Sequence, residues 1–273
     1  MSRGLSIFLS GGLLPLLLIG CVLEETLIFY PAAVIEETPG DRGLPFDDVY
    51  FTTTDGVRLN GWFVPYPEAR TTLLWFHGNA GNIGHRVENI WLLHDLVGIN
   101  IFIFDYRGYG RSGGKVSEEG TYKDGEAALG YLHSRKDVDP GGVVFFGRSL
   151  GAAVAAELAT RGRCQGMILE TPFASIRDMA RAVFPLLPIG GLLRTRYDTV
   201  DKVKRSKCPL LVLHGDQDDI VPFSQGRKVF EAAPEPKEFY VISGARHNDT
   251  YIVGGRSYFA ALKRFVESLP RRS

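Results

Sequence analysis

The sequence predicts an α/β fold, a mostly parallel sheet with an antiparallel start and helices on both faces. Three observations predict it. Short apolar runs of strand length alternate with helical periodicity along the 273 residues. The first two runs, 47–54 and 57–64, flank Asp55-Gly56, a hairpin signal, so the sheet opens antiparallel. Finally, Val143-Val144-Phe145-Phe146 suits a strand buried on both faces, and it leads through Gly147-Arg148-Ser149-Leu150-Gly151 directly into an Ala- and Leu-rich helical stretch.

The chain begins with Arg3 and an apolar stretch over 5–23, interrupted by Ser6, Ser10, Gly11, Gly12, Pro15, Gly20 and Cys21 and ended by Glu24 and Glu25. That layout fits an exported segment better than a core helix, which the glycines and Pro15 would weaken. Leu18-Ile19-Gly20-Cys21 resembles a bacterial lipobox, so a lipoprotein signal with lipidation at Cys21 is preferred. An uncleaved membrane anchor is the alternative, although the run is barely long enough to span. Both readings attach the protein to a membrane through its N-terminus and leave the folded part outside the cytoplasm.

The remaining elements follow in order. Residues 71–76 form a third strand, and a helix over 84–97 carries Ile90, Leu93, Leu96 and Val97 on one face. A strand at 101–106 precedes a helix within 121–134. After the central strand come short strands at 167–170, 210–213 and 239–242, eight in all, and Pro222 starts a helix. Phe259, Leu262, Phe265, Val266 and Leu269 give a closing helix over 258–269, stopped by Pro270. With no repeat or linker, 1–23 is the targeting or anchoring segment and 24–273 a single domain.

Composition narrows the function. Hydrophobic residues make up 45% and charged residues 23%, enough for a large core. The formal net charge is zero and no long run of one sign occurs, which argues against nucleic acid as a partner. The three cysteines match no zinc spacing, and there is no His-Glu-x-x-His, so no metal is expected. The glycines from Gly78 to Gly84 fit neither a P-loop nor a dinucleotide fingerprint, so no organic cofactor is expected.

Gly-x-Ser-x-Gly occurs twice. Around Ser149 it lies between strand and helix, where it resembles the nucleophile elbow of the α/β-hydrolases. Around Ser112 it sits among Gly108, Gly110, Gly113 and Gly114 with no helix following, and Ser112 reads as a loop serine. A serine hydroxyl needs a base, and the base needs an orienting carboxylate. In that family's order of Ser, acid, His, only His247 of the six histidines lies in a loop after the last strand. The acid comes from the loop holding Asp216, Asp218 and Asp219. Asp216 is too near the strand end and would aim at its own turn; Asp218 and Asp219 both reach.

His214-Gly215-Asp216-Gln217-Asp218 resembles the family's acid loop, which selects Asp218, with Asp219 as runner-up. Phe76-His77-Gly78-Asn79-Ala80-Gly81-Asn82, Asp105-Tyr106-Arg107-Gly108-Tyr109-Gly110, Leu169-Glu170-Thr171-Pro172-Phe173 and Leu27-Ile28-Phe29-Tyr30-Pro31 are similar to the membrane-anchored serine hydrolases of the alpha/beta hydrolase domain-containing protein 13-like group. The resemblance runs over nearly all of 27–269. It implies an α/β-hydrolase fold with a short lid over about 173–207. It also implies an oxyanion hole built from the backbone N–H groups of Asn79 and Leu150. The expected activity is hydrolysis of a small-molecule or lipid acyl ester or thioester through an acyl-enzyme on Ser149. A serine aminopeptidase and a non-catalytic binding module on the same fold are the alternatives. Within the lid, some of Leu186, Leu187, Ile189, Leu192 and Leu193 are expected to line an acyl groove or touch lipid. The family's sheet sets the strands following Cys164 and Cys208 side by side, which permits a disulfide; two buried thiols are the preferred reading.

Overall fold

The computed structural model describes residues 28–161, 164–183 and 193–270. Residues 5–23, with Cys21, lie outside the described residues, as do Leu186, Leu187, Ile189 and Leu192 of the insertion. The strands are β1 (Tyr30–Pro31), β2 (Asp47–Thr52), β3 (Arg58–Val64), β4 (Thr72–Phe76), β5 (Ala80–Gly81), β6 (Asn100–Phe104), β7 (Val143–Arg148), β8 (Gly166–Glu170), β9 (Leu210–Gly215) and β10 (Lys237–Ile242). Eight of them form one sheet in the order β10-β9-β8-β7-β4-β6-β3-β2. Only β3 runs against its neighbours, β2 and β6; every other pairing in this sheet is parallel. The short β1 and β5 pair separately, with Tyr30 opposite Ala80.

The helices are α1 (Val87–Val97), α2 (Glu118–Ser134), α3 (Leu150–Arg161), α4 (Ile176–Val183), α5 (Thr199–Val203), α6 (Phe223–Ala232) and α7 (Thr250–Ser268). Alternation along the central strands builds two cores. Leu74, Phe76, Phe102, Phe104 and Phe145 face one side and pack with residues of α2, α3 and α6. Leu73, Trp75, Ile101, Ile103, Val144 and Phe146 face the other and pack with α1 and α7. The strands are buried on both faces, which is why the sequence shows them as apolar runs without alternation.

Sheet order reverses at β4, which lies between β6 and β7. A crevice at the carboxyl ends of strands is expected at such a switch point. The loops after β4 and β7 are the ones that carry Asn79 and Ser149.

Several boundaries differ from expectation. The second helix starts at Glu118 because Ser117 caps it, its side chain accepting from the Gly120 N–H at 3.1 Å. The closing helix starts at Thr250 and is broken at Gly255, where φ is 49°; its first turns carry Ile252 and Val253 exposed, so no buried apolar periodicity marks them. Within the insertion, α5 has no sequence signature and is held by tertiary contacts, Lys202 Nζ lying 3.2 Å from Glu157 Oε2 of α3. Cys164 and Cys208 are joined by a disulfide, with Cα atoms 5.9 Å apart, so the preferred reading of two free thiols is corrected. The register pairs Glu170 with Leu213, which leaves the cysteines one position out of direct opposition and still within bonding range.

Candidate active site

The turn from β7 into α3 is tight, and its glycines show why. A Cβ on Gly147 would meet the Gly151 carbonyl oxygen at 2.4 Å, and one on Gly151 would meet the Phe76 oxygen at 1.9 Å. Strand, turn and helix therefore approach more closely than side chains allow. Ser149 between them has φ 52°, a left-handed conformation that costs a non-glycine residue about 1–3 kcal/mol. Its N–H donates to the Glu170 carbonyl of β8 at 2.9 Å, which helps hold the strained residue in place.

Ser149 Oγ lies 3.1 Å from His247 Nε2, and His247 Nδ1 lies 2.8 Å from Asp218 Oδ2. The histidine sits in the loop between β10 and α7, and the aspartate in the loop between β9 and α6. Asp218 is buried; its Oδ1 accepts from the N–H groups of Ile220 at 2.9 Å and Val221 at 2.7 Å. Burial pushes its pKa up, but hydrogen bonds from His214 and His247 outweigh burial and hold the carboxyl well below the usual carboxylate range.

The other acids of that loop do different work. Asp219 accepts from the His247 backbone N–H at 3.5 Å, while the ring nitrogens pair with Asp218 and Ser149. Asp216 does not aim at its own turn. It reaches across to the loop carrying His247 and accepts from Gly244 N–H at 2.7 Å and Ser243 Oγ at 3.2 Å.

Asn79 follows β4 in a loop that lies against the elbow; a Cβ on Gly78 would stand 3.7 Å from Ser149 Cβ. Asn79 Oδ1 accepts from Tyr109 Oη at 2.9 Å, and its Nδ2 donates to the Ile28 carbonyl. Neither the backbone N–H of Asn79 nor that of Leu150 donates to another described residue. A cleft of about 480 Å³ opens over these groups, lined by Tyr30, Asn79, Arg86, Ser149, Ile220 and His247 among others. A larger hollow of about 570 Å³ lies at the opposite ends of the strands, and among the described residues no serine, histidine or cysteine lines it.

Ser112 is occupied elsewhere. Its Oγ donates to the Asp105 carbonyl at 2.7 Å and accepts from Asn60 N–H at 2.9 Å, tying its loop to β3.

Four residues around the site carry no role in the sequence reading. His214 Nε2 lies 3.3 Å from Asp218 Oδ2 and 3.0 Å from the Val221 carbonyl; two acceptors there mean that this nitrogen carries the proton. Arg148 Nη2 donates to the His247 carbonyl at 2.7 Å, and its Nε lies 3.9 Å from Glu170 Oε2. Thr250 Oγ1 donates to Glu170 Oε1. The available signal was charge out of place, Arg148 and Glu170 standing at the ends of otherwise apolar strands.

The family model described as serine aminopeptidase, S33, matches residues 67–189 and 188–250. The chain belongs to this family of α/β-hydrolases. This hydrolase is 38% identical to the alpha/beta hydrolase domain-containing protein WAV2 of Arabidopsis thaliana over 89% of its own length and 87% of the relative's. It is 35% identical to protein bem46 of Schizosaccharomyces pombe, over 89% and 85% respectively. It is 34% identical to the uncharacterized membrane protein YNL320W of Saccharomyces cerevisiae, over 84% and 82%. Among solved structures, the esterase Pf2001 of Pyrococcus furiosus superposes with a TM-score of 0.74 at 21% identity, covering 89% of this hydrolase and 98% of that chain. Among the described residues no helix is long and apolar enough to cross a membrane.

Proposed function

We propose that this chain is a membrane-attached serine hydrolase that cleaves acyl esters or thioesters through an acyl-enzyme on Ser149. The observation that carries the reading is the continuous chain from Ser149 Oγ through the His247 ring to the buried Asp218 carboxylate. Ser149 Oγ attacks the acyl carbonyl carbon while His247 Nε2 takes its proton. The resulting oxyanion is met by the N–H groups of Asn79 and Leu150, each such donor typically worth about 3–4 kcal/mol. Asp218 holds the imidazole in its tautomer and stabilises the imidazolium. His247 then returns the proton to the departing alcohol or thiol. Water, deprotonated by the same ring, attacks the acyl-enzyme and releases the acid and free Ser149.

The aminopeptidase reading draws support from the description of the family model. It is less well supported by the cleft, because among the described residues no Asp or Glu lines it to receive a substrate ammonium. Membrane attachment rests on the apolar residues 5–23 and on the similarity to YNL320W of Saccharomyces cerevisiae, described as a membrane protein. A location outside the cytoplasm is supported by the disulfide, since such bonds are rare in reducing compartments. Export with lipidation predicts that Cys21→Ser releases the protein from membranes; an uncleaved anchor predicts that it stays.

A fluorophosphonate probe tests the chemistry. Wild type should label at Ser149, and Ser149→Ala should neither label nor hydrolyse p-nitrophenyl esters. Ser112→Ala loses two hydrogen bonds, at about 1 kcal/mol each, and should still label. Labelling that persists in Ser149→Ala would end the proposal.

A further inference from the structure

Two arginines border the cleft beside Ser149, and they differ in one respect. Arg148 is matched, with the Glu170 carboxylate at 3.9 Å and the His247 carbonyl at 2.7 Å. Arg86 has no carboxylate within ion-pair distance among the described residues. Its Nη2 donates to the Ala80 carbonyl at 2.5 Å, and its Nε is buried with no hydrogen-bond partner. Arg86 ends the 3-10 turn Ile83–Arg86 and immediately precedes α1, so its backbone is held by two packed elements.

The surroundings make this cation costly. Burial first, and then the neighbouring Arg148, push its pKa down to about 10, which leaves it charged at neutral pH. Asp105 and Glu170 act on it only from beyond ion-pair distance, and a desolvated charge without a carboxylate in direct contact is retained at a cost unless something brings one. Among the described residues neither Asp nor Glu lines the cleft, and His85 adds a further nitrogen donor or acceptor to the same wall. A guanidinium presents a planar fork suited to a carboxylate or phosphate.

We propose that Arg86 binds an anionic group, a carboxylate or a phosphate, on the ester that Ser149 attacks, so that this hydrolase selects acidic esters over neutral ones. The inference rests on the hydrolase reading for the identity of the attacked ester, but the anion site itself is tested without turnover. Arg86 is a specificity residue in this account, distinct from the groups that move protons.

The test uses full-length protein carrying Ser149→Ala and measures binding by calorimetry for two matched pairs. Monomethyl glutarate against dimethyl glutarate reads a carboxylate, and 1-butyrylglycerol 3-phosphate against 1-butyrylglycerol reads a phosphate. In at least one pair the anionic member should bind about tenfold tighter or more, a difference of about 1.4 kcal/mol. Whichever pair responds identifies the anion. Adding Arg86→Gln should bring that ratio close to one, and adding Arg86→Lys should keep most of it. A residue that merely supports the Ala80 loop would weaken both members of a pair together and leave the ratio intact. No preference in either pair, or a ratio that survives Arg86→Gln, overturns the proposal. If the ratio depends on Arg86 while Ser149 of the wild type resists the fluorophosphonate, the hydrolase reading fails and the anion site stands.

Discussion

At the scale of single residues, the site depends on buried groups that set one another's charge. His214 donates to Asp218 Oδ2, the same oxygen that His247 Nδ1 contacts. His214→Phe removes that donor and lets the Asp218 pKa rise toward its ordinary range. Hydrogen bonds to charged groups are worth about 1.5–3 kcal/mol. The variant should therefore lose about 10–100-fold in kcat/KM, and a wild-type rate of fluorophosphonate labelling would remove His214 from the site. A second buried pair lies under the Asn79 loop, His77 Nε2 standing 3.6 Å from Asp105 Oδ1. Burial pushes Asp105 up to about 7 and His77 down to about 3. Near pH 5 the folded pair holds one proton, on Asp105. The unfolded pair also holds one, on His77, so the two cancel and contribute no slope. Asp105→Asn breaks the balance. The folded state then binds no proton while unfolded His77 binds one, and stability should fall by about 1.4 kcal/mol per unit as pH drops below about 6. Urea unfolding at several pH values checks this; parallel curves for wild type and variant would refute the assignment.

At the scale of elements, close approach of backbones explains the elbow better than propensity does. Gly151 is the second residue of α3, and a Cβ added to it would meet the carbonyl oxygens of Phe76 at 1.9 Å and His77 at 2.7 Å, at and just past the end of β4. Gly151→Ala should cost about 3 kcal/mol or more and displace Ser149, because the Phe76 carbonyl in its way is backbone and cannot rotate aside. Gly130 offers the contrast within the same layer. It lies exposed in α2 with nothing within 4 Å of an added Cβ. Gly130→Ala should stabilise by about 0.5–1 kcal/mol, since the helix gains its best former and loses an entropic cost. Thermal melts of the two variants should move in opposite directions. The ladder of Arg148, Glu170 and Thr250 acts between elements too, tying the β7 end, the β8 end and the start of α7 around the His247 loop.

At the scale of the whole molecule, two features bind distant parts of the chain. The disulfide closes a loop across a sequence separation of 44 residues that contains the insertion. Restricting an unfolded chain over that length is worth about 4 kcal/mol in the chain-entropy account. Unfolding in the presence of reductant, or in Cys164→Ala/Cys208→Ala, should show a loss of that order, and an unchanged midpoint would count against it. The second feature is the segment entering the fold. Ala32 N–H donates to the Gly81 carbonyl at 3.0 Å, and Asn82 Nδ2 donates to the carbonyls of Ala32 at 3.0 Å and Val34 at 2.6 Å. The start of the described chain is thus pinned to the Asn79 loop, and Tyr30 lines the cleft. Tyr30 follows Leu23 by seven positions in the chain, a reach of at most about 25 Å. Under the membrane reading, the cleft lies that close to where the apolar run ends.

Apolar runs, turn signals and the Gly-x-Ser-x-Gly between strand and helix were sufficient to read the layered sheet and the order of its elements. Those features are local, since burial on two faces and a tight strand-to-helix turn each leave their mark within a few residues. The sequence also separated Ser149 from Ser112, because only one of the two stands where a helix begins. Its own residues left Asp218 and Asp219 open, and resemblance chose between them. Tertiary structure decided what depends on direction and on distant partners. The closing of Cys164 on Cys208 turned on strand register. The reach of Asp216 to Gly244, the support of Asp218 by His214 and the ladder behind His247 join residues from strands and loops far apart in the chain. Arg86 went unread for the same reason. A charge in a sequence carries no sign of whether a counter-ion waits for it, and only the packed cleft shows that, among the described residues, no carboxylate stands within ion-pair distance of this one.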